Sequence, residues 1–513
     1  MERKKIQVWL PLLFSITLIA GMFIGYKMRD AMPGKSFFFT EKRRTIQEVM
    51  DIIQAHYVDT VNLDAIADTG IYAMLSQLDP HSLFIPAKEV QAANDDIAGN
   101  FFGIGIEFNI FNDTIHVVNV MKDGPSFIAG IQTGDLILKA NDSILSGKKL
   151  TTESIRQNLR GPLGSPVSLL LLRKGAQKTV IVNRGIIPLS SLDAGYMIDA
   201  TTGYIRLNKF SKQTYREFME SLTALKKQGL KKLVLDVRGN GGGVLDEAVE
   251  IADEFLAGDK LITYTQGSHV KKKEYRCRRE GQFETGELVV LADEGSASAS
   301  EILMAALQDW DRATIVGRRS FGKGLVQEQF DLSNRSALRL TVARYYSPLG
   351  RSIQRSYTQG GKAYYDEITD RYTNGGILRA DSVTPGGKVF TTKAGKKIYE
   401  NGGIMPDVFV PADTSKMGSS MMKLYAKGTL NDFGYRYYLA NPGIKNQYKT
   451  SKDFAQNFAL TAADWKTFEE QAGKDSISIA GISDAEKATL TKALKASLGR
   501  QLFRVGGYFE VIN

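Results

Sequence analysis

The sequence predicts a multidomain α/β chain: an α/β core with an inserted β-rich module, a helical N-terminal segment and a mostly helical C-terminal region. Three observations carry this. The chain has 513 residues, too many for one ordinary domain. From about 188 to 350, buried-type strands alternate with helices through glycine- or serine-rich turns, as in an α/β core. From 99 to 187 the runs are short and β-type, separated by Gly, Asn and Asp turns. The expected divisions are 1–30, 31–97, 98–187, 188–415 and 416–513.

The first segment stands apart from the fold. Arg3, Lys4 and Lys5 precede a mostly apolar stretch from Val8 to Tyr26 that has no amphipathic spacing. Its length lies at the short end of a bilayer span. A cleavable signal peptide shares the basic start and apolar middle, but no A-x-A site follows here. The expectation favours an uncleaved membrane anchor, with a cleaved signal segment as the alternative. The basic end would stay inside, leaving the remainder in the periplasm or otherwise outside the cytoplasm.

Residues 41 to 96 read as helical, since Ile46, Val49, Ile52 and Ile53 recur at helical spacing. Leu78-Asp-Pro-His-Ser-Leu-Phe84 interrupts them as a turn. In the β-rich stretch, strands are expected at Ile104–Phe108, Ile115–Val120, Leu136–Ala140, Val167–Leu172 and Thr179–Val182, with one helix at Thr152–Leu159. In the core, the strand Leu233–Val237 runs into Gly239–Gly243 and a helix over Leu245–Leu256. Leu288–Ala292 is a second buried strand, followed by Gly295–Ser300, a helix over Glu301–Trp310 and a strand over Ala313–Val316. Residues 355 to 400 are polar and read as loops. Residues 416 to 513 read as helical, with a capping box at Ser483 and Glu486 before Leu490, Leu494 and Leu498.

Composition excludes several chemistries. Cys277 is the single cysteine, so no intrachain disulfide forms, and its polar neighbourhood Lys271–Glu280 reads as solvated surface. The net charge of +10 is spread along the chain without interleaved stacking aromatics. Nucleic acid is therefore not an expected partner, while some attraction to a membrane surface is. No histidine pair has metal-ligand spacing, and no metal or organic cofactor is expected.

A serine in a strand-to-helix turn can act as a nucleophile, with adjacent amides forming an oxyanion hole. It needs a base. The four histidines, His56, His81, His116 and His269, all lie outside the glycine- and serine-rich turns. Lysine is the alternative, because desolvation in an apolar pocket lowers its pKa toward neutrality. Lys323 in Ser320-Phe-Gly-Lys-Gly-Leu-Val326 is flanked by glycines and apolar residues, and Gln327 lies four residues on. Taken alone, a serine of this kind is also a good helix N-cap, a role open to Ser296 or Ser300.

Gly295-Ser-Ala-Ser-Ala-Ser-Glu-Ile302 followed by Phe321-Gly-Lys-Gly-Leu-Val-Gln327 resembles the C-terminal processing peptidases, or tail-specific proteases. The 25-residue separation of Ser298 and Lys323 matches as well. The resemblance implies an α/β serine protease core with Ser298 as nucleophile, Lys323 as general base and Gln327 orienting it. The Ala299 amide would supply one oxyanion donor. The second would come from Gly242 or Gly243 in Asp236-Val-Arg-Gly-Asn-Gly-Gly-Gly243, where glycines replace one Asn, the first, and the Pro of the family's segment. The likeness covers roughly 40 to 410, including Gly402-Gly-Ile-Met-Pro-Asp407, and does not extend to 416–513.

Residues 99–187 resemble a PDZ domain, with Phe102, Gly103, Ile104, Gly105 and Ile106 as its carboxylate-binding loop. Ile128–Asp135 resembles that family's turn into the next strand. A peptide would add as a strand against the Ile155/Leu159 helix, and Arg160 would tie the module to the core by an ion pair. Together these imply a serine endopeptidase cleaving protein substrates near their C-termini, gated by the PDZ-like module and able to rest in a latent state. The rival is a non-catalytic PDZ or ligand-binding scaffold on the same fold. The expected partners are protein or peptide C-termini and, through the N-terminal helix, the membrane; a homo-oligomer is compatible with both.

Overall fold

A computed structural model describes residues 3–31, 45–147, 150–373, 376–378, 387–400, 402–413 and 418–513. The helical expectation at 41–44 and 416–417, and the loop expectation at 374–375 and 379–386, lie outside the described residues. The chain divides into two units, Met1–Ala73 and Met74–Asn513.

The first unit carries the helices Arg3–Ala31 and Thr45–His56 and most of Leu63–Leu75. Within it Trp9–Lys27 is long and apolar enough to cross a membrane, at 19 residues and a mean hydropathy of 1.8.

The second unit is built on a six-stranded sheet. Its spatial order is Leu192–Met197, Thr202–Leu207, Lys232–Asp236, Glu287–Ala292, Thr314–Gly317 and Val408–Phe409. The first pair is antiparallel and the others are parallel. Parallel strands buried on both faces need continuous apolar runs, and Leu233, Leu235, Val290 and Ile315 are fully buried. Helices cover the faces. Thr214–Lys227 packs through Phe218, Leu222 and Leu225, while every residue of Ala299–Asp309 is buried. Lys232–Asp236 and Glu287–Ala292 are neighbours in register, so the turns that leave their carboxyl ends lie side by side. Ligands of open parallel sheets bind outside those ends.

A second sheet orders Leu83–Ile85, Ala337–Tyr346, Leu261–Gln266 and Lys273–Arg276, with Leu325–Asp331 also paired to Ala337–Tyr346. The β-rich module is an antiparallel sheet ordered Ile106–Phe111, Thr114–Val120, Leu136–Ala140, Pro166–Arg173 and Ala176–Asn183. Ile115, Ile137, Leu169 and helix residue Ile155 fill its core. The helix spans Thr152–Leu159, and Ile106–Phe111 is an edge strand. The chain enters and leaves the module through the two-stranded ribbon Asn100–Gly103 and Gly185–Pro188.

The C-terminal helices Ser419–Ala426, Thr429–Ala440, Ile444–Gln447, Ser451–Asn457, Ala462–Lys474 and Asp484–Ile512, the last broken by a kink at Phe503 and Arg504, enclose their own core of Phe433, Phe454, Phe468, Leu494 and Leu498. Ser483 and Glu486 form the expected box at the start of the last helix.

Two expectations fail. Cys277 is 6% exposed and belongs to the main core, its N–H donating to Lys260 O at 2.9 Å. The polar residues around it face outward while it alone turns in, and burial beside Asp253 pushes its thiol up to about 12. The polar stretch after 355 contains the helix Gly361–Thr373, whose Tyr364 is buried although no apolar period announces it.

Candidate active site

Two turns at the sheet's carboxyl edge are stitched together by main-chain groups. Ser296 Oγ donates to Val237 O at 2.8 Å, and Ser300 Oγ donates to Asn240 O at 2.9 Å. Ala297 N–H also donates to Asn240 O at 2.9 Å. The outer two serines are thus committed to the fold. Ser298, rather than either of them, occupies the N-cap position of the Ala299–Asp309 helix. It does so at φ 55°, ψ −112°, a region that costs a non-glycine residue about 1–3 kcal/mol. Such strain persists only where surrounding contacts over-determine it.

Those contacts converge on Glu301, a fully buried residue whose role sequence reasoning missed. Its Oε2 accepts from Ser298 N–H at 2.8 Å and from Lys323 N–H at 2.9 Å. Its Oε1 accepts from Ser320 Oγ at 2.5 Å and Gly322 N–H at 2.7 Å. Tyr345, also buried, complements it from the carbonyl side, with its hydroxyl 2.6 Å from Lys323 O and 3.1 Å from Ser298 O. One carboxylate therefore bridges the amides of Ser298 and Lys323, and one phenol bridges their carbonyls. The Gly402–Asp407 segment buttresses the same loop, with Ile404 N–H donating to Ser320 Oγ at 2.6 Å.

Lys323 is half-buried, and its Nζ donates to Gln327 Oε1 at 2.7 Å. Burial, reinforced by Arg339, lowers its pKa, against the opposing pull of Asp79 and Glu301. Gln327 is held in turn, because its Nε2 donates to His81 O. In the sequence the His81 turn marks only a break between helices, yet it braces this side chain. Asp79 fixes it: Oδ1 accepts from His81 N–H at 2.9 Å and Ser82 N–H at 3.0 Å, and Oδ2 accepts from Ser82 Oγ at 2.6 Å. The His81 ring contacts Tyr364 Oη at 3.0 Å. Burial and the nearby Lys323 lower its pKa to about 4, so the ring is neutral at pH 7.

The glycine turn lies against Ser298. A Cβ built on Gly242 (φ +94°) would stand 2.7 Å from Ser298 Cβ and 2.9 Å from Ala299 N. That spot is free only because residue 242 is glycine. The Ala299 N–H, first in its helix, has no intrahelical acceptor. Of the two glycines considered as donors, Gly242 spends its N–H on Asn240 Oδ1 at 2.9 Å, whereas Gly243 N–H has no partner among the described residues. Beneath the turn Asp236 is fully buried, accepting from Tyr204, Arg206 and Arg238.

In the β-rich module, Gly103, Ile104, Gly105 and Ile106 line a groove of about 900 Å³ beside the edge strand and the Thr152–Leu159 helix, whereas the expected Phe102 does not and Phe101 does. Gly105 has φ +74°, and the N–H groups of Ile104 and Gly105 have no partner among the described residues. Arg160 pairs at 3.5 Å with Asp95 and lies 4.1 Å over the Phe101 ring. Its carboxylate partner thus belongs to the helix Ala87–Ala98 that precedes the module, rather than to the α/β core.

Comparison with known proteins follows the same division. Residues 201–361 match peptidase family S41, residues 103–183 match the PDZ domain, and residues 420–504 match a family of unknown function. The chain is 33% identical over 351 residues to a carboxy-terminal-processing protease of Bartonella bacilliformis, covering 66% of this chain and 80% of that protein. It is 32% identical over 356 residues to a probable CtpA-like serine protease of Staphylococcus aureus, covering 69% of each. Among solved structures, the photosystem II D1 C-terminal processing protease aligns at 26% identity with a TM-score of 0.36, covering 73% of this chain and 88% of that one.

Proposed function

The chain belongs to the S41 serine peptidases, with the carboxy-terminal-processing proteases, and on that premise we propose that it cleaves protein tails by a Ser298–Lys323 dyad. The observation that carries this is the double bridge, through Glu301 and Tyr345, between the main chains of Ser298 and Lys323.

The chemistry runs as acyl transfer. Ser298 Oγ attacks the scissile carbonyl carbon while its proton passes to the neutral Nζ of Lys323. The developing oxyanion is met by the Ala299 N–H, with Gly243 N–H as second donor. Lys323 returns the proton to the departing amine, the peptide bond breaks, and an ester remains on Ser298. Water then attacks the ester, giving its proton to Lys323, which passes it to the departing Ser298 Oγ as the acyl–oxygen bond breaks and the new C-terminus is released. Gln327 keeps the amine in place between steps. The resting amine bonds to Gln327, and the Ser298–Lys323 approach tightens when substrate fills the site.

The PDZ domain supplies substrate. The free amides of Ile104 and Gly105 receive the terminal carboxylate, and the tail pairs along the edge strand Ile106–Phe111. The Trp9–Lys27 helix anchors the enzyme in the membrane, with proteolysis outside the cytoplasm.

The test is incubation of the full chain with a protein substrate bearing a free C-terminus, read by mass spectrometry. Wild-type protein yields products shortened near that end and Ser298→Ala yields none. Equal processing by the two overturns the reading.

A further inference from the structure

The groove beside Ile106–Phe111 has a second wall that the PDZ domain does not make. Asn431, Arg500, Gln501 and Arg504, from the Thr429–Ala440 and Asp484–Ile512 helices, line it opposite the strand. These residues lie in the region matched only by a family of unknown function. The wall is fixed to the PDZ sheet at several points. Gln501 Nε2 donates to Val118 O at 2.6 Å, and Arg504 pairs with Glu107 at 2.9 Å. Tyr435 stacks on Phe111 with ring centroids 5.7 Å apart, and its hydroxyl lies 3.4 Å from His116 Nδ1.

The groove's charge is one-sided. Arg156, Arg160, Arg500 and Arg504 line it, against the single carboxylate of Glu107. Arg160 is taken by Asp95 and Arg504 by Glu107. Arg500 is exposed, and neither it nor Arg156 makes a side-chain hydrogen bond or ion pair among the described residues. Both guanidiniums line the groove beside Ile106–Phe111, where a paired strand would lie.

We propose that the C-terminal helical region is the outer wall of the peptide groove and selects tails carrying an acidic residue upstream of the terminal carboxylate, with Arg500 as the specificity-determining residue. This rests on reading the groove as the site for substrate C-termini. Arg500 stands free and exposed at the groove, where its guanidinium can meet a carboxylate with two parallel donors.

The experiment measures fluorescence anisotropy of labelled peptides on the full chain carrying Ser298→Ala. The peptides share apolar last residues and differ by Glu or Gln at successive upstream positions. One further Glu peptide is amidated at its C-terminus. At one upstream position Glu binds roughly three- to fivefold more tightly than Gln, the range for a partly exposed charge pair. Arg500→Gln abolishes that preference, so that the Glu and Gln peptides bind alike. A Glu preference that survives Arg500→Gln, or none at any position, overturns the proposal. Amidation separates the two readings: if it leaves affinity untouched while the Arg500-dependent preference holds, carboxylate capture falls and charge selection stands. Failure of every peptide to bind overturns both.

Discussion

Ser298 and Lys323, 25 residues apart in the chain, donate their main-chain N–H groups to the same oxygen, Oε2 of Glu301, at 2.8 and 2.9 Å. The strained backbone of Ser298 and the loop carrying Lys323 are set by one buried carboxylate, so their relative position does not depend on their own side chains. A buried acceptor serving four donors is hard to replace, because each donor left without a partner costs about 1–3 kcal/mol.

Glu301→Gln turns part of that acceptor into a donor facing donors. It is expected to lower stability by about 2–3 kcal/mol and kcat by about a hundredfold or more. KM for a tail peptide changes little, since the peptide groove is untouched. Thermal unfolding and steady-state kinetics on the full chain check this; an unchanged kcat contradicts it.

Gly242→Ala places a methyl 2.7 Å from Ala297 O and Ser298 Cβ and 2.9 Å from Ala299 N, crowding the amide proposed to meet the oxyanion. The expected loss in kcat is about 10²–10³, as for removal of an oxyanion donor. The left-handed φ adds about 1–2 kcal/mol of destabilisation. Activity retained within a fewfold of wild type would show that the oxyanion lies elsewhere.

Burial lowers the Lys323 pKa, so the folded state binds fewer protons there than the unfolded state over the window up to the ordinary value of 10.5. Stability then rises with pH across that window, and the penalty is full below the folded pKa. Lys323→Met removes it. The variant's melting temperature should exceed that of wild type most at acid pH, with the gain shrinking toward pH 10.5, while its proteolysis is absent. A gain that grows with pH would contradict the burial argument.

Gln327→Glu sets a carboxylate beside the amine, which favours the ammonium form and raises the Lys323 pKa. The ascending limb of kcat/KM against pH should move up by about one unit or more. An unmoved limb would mean that the limb does not report Lys323.

His81 is neutral with a pKa of about 4, against 6.5 in the unfolded chain. Between those values the unfolded state binds the extra proton, so stability falls as pH drops through the window. His81→Phe, which keeps the ring packing, should flatten this acid limb in unfolding measured from pH 7 to pH 4.

The Ser298 and Lys323 turns, proposed here as a dyad, are legible in the sequence because each sits in a short continuous motif after a recognisable strand, and the module helix Thr152–Leu159 because its two apolar residues keep helical spacing. The bracing is not. Glu301 reads as an ordinary first-turn helix acid, and its four donors come from Ser298 and from a loop about twenty residues on. The His81 carbonyl acts as a main-chain atom, which residue identity cannot announce. Cys277 misleads because charged neighbours mask a single inward residue beside an exposed strand. The C-terminal helices announce themselves by period and capping, but their position against Phe111, Val118 and Glu107 is purely tertiary.

The claim beneath all of this is that Lys323, held partly out of water, takes the hydroxyl proton of Ser298. Mass spectrometry of tail cleavage by wild-type and Lys323→Ala protein, at matched folded concentration, tests it most directly. The account predicts that Lys323→Ala loses at least about 10³-fold in rate at every pH from 6 to 9. Cleavage by Lys323→Ala at a rate near wild type would contradict it.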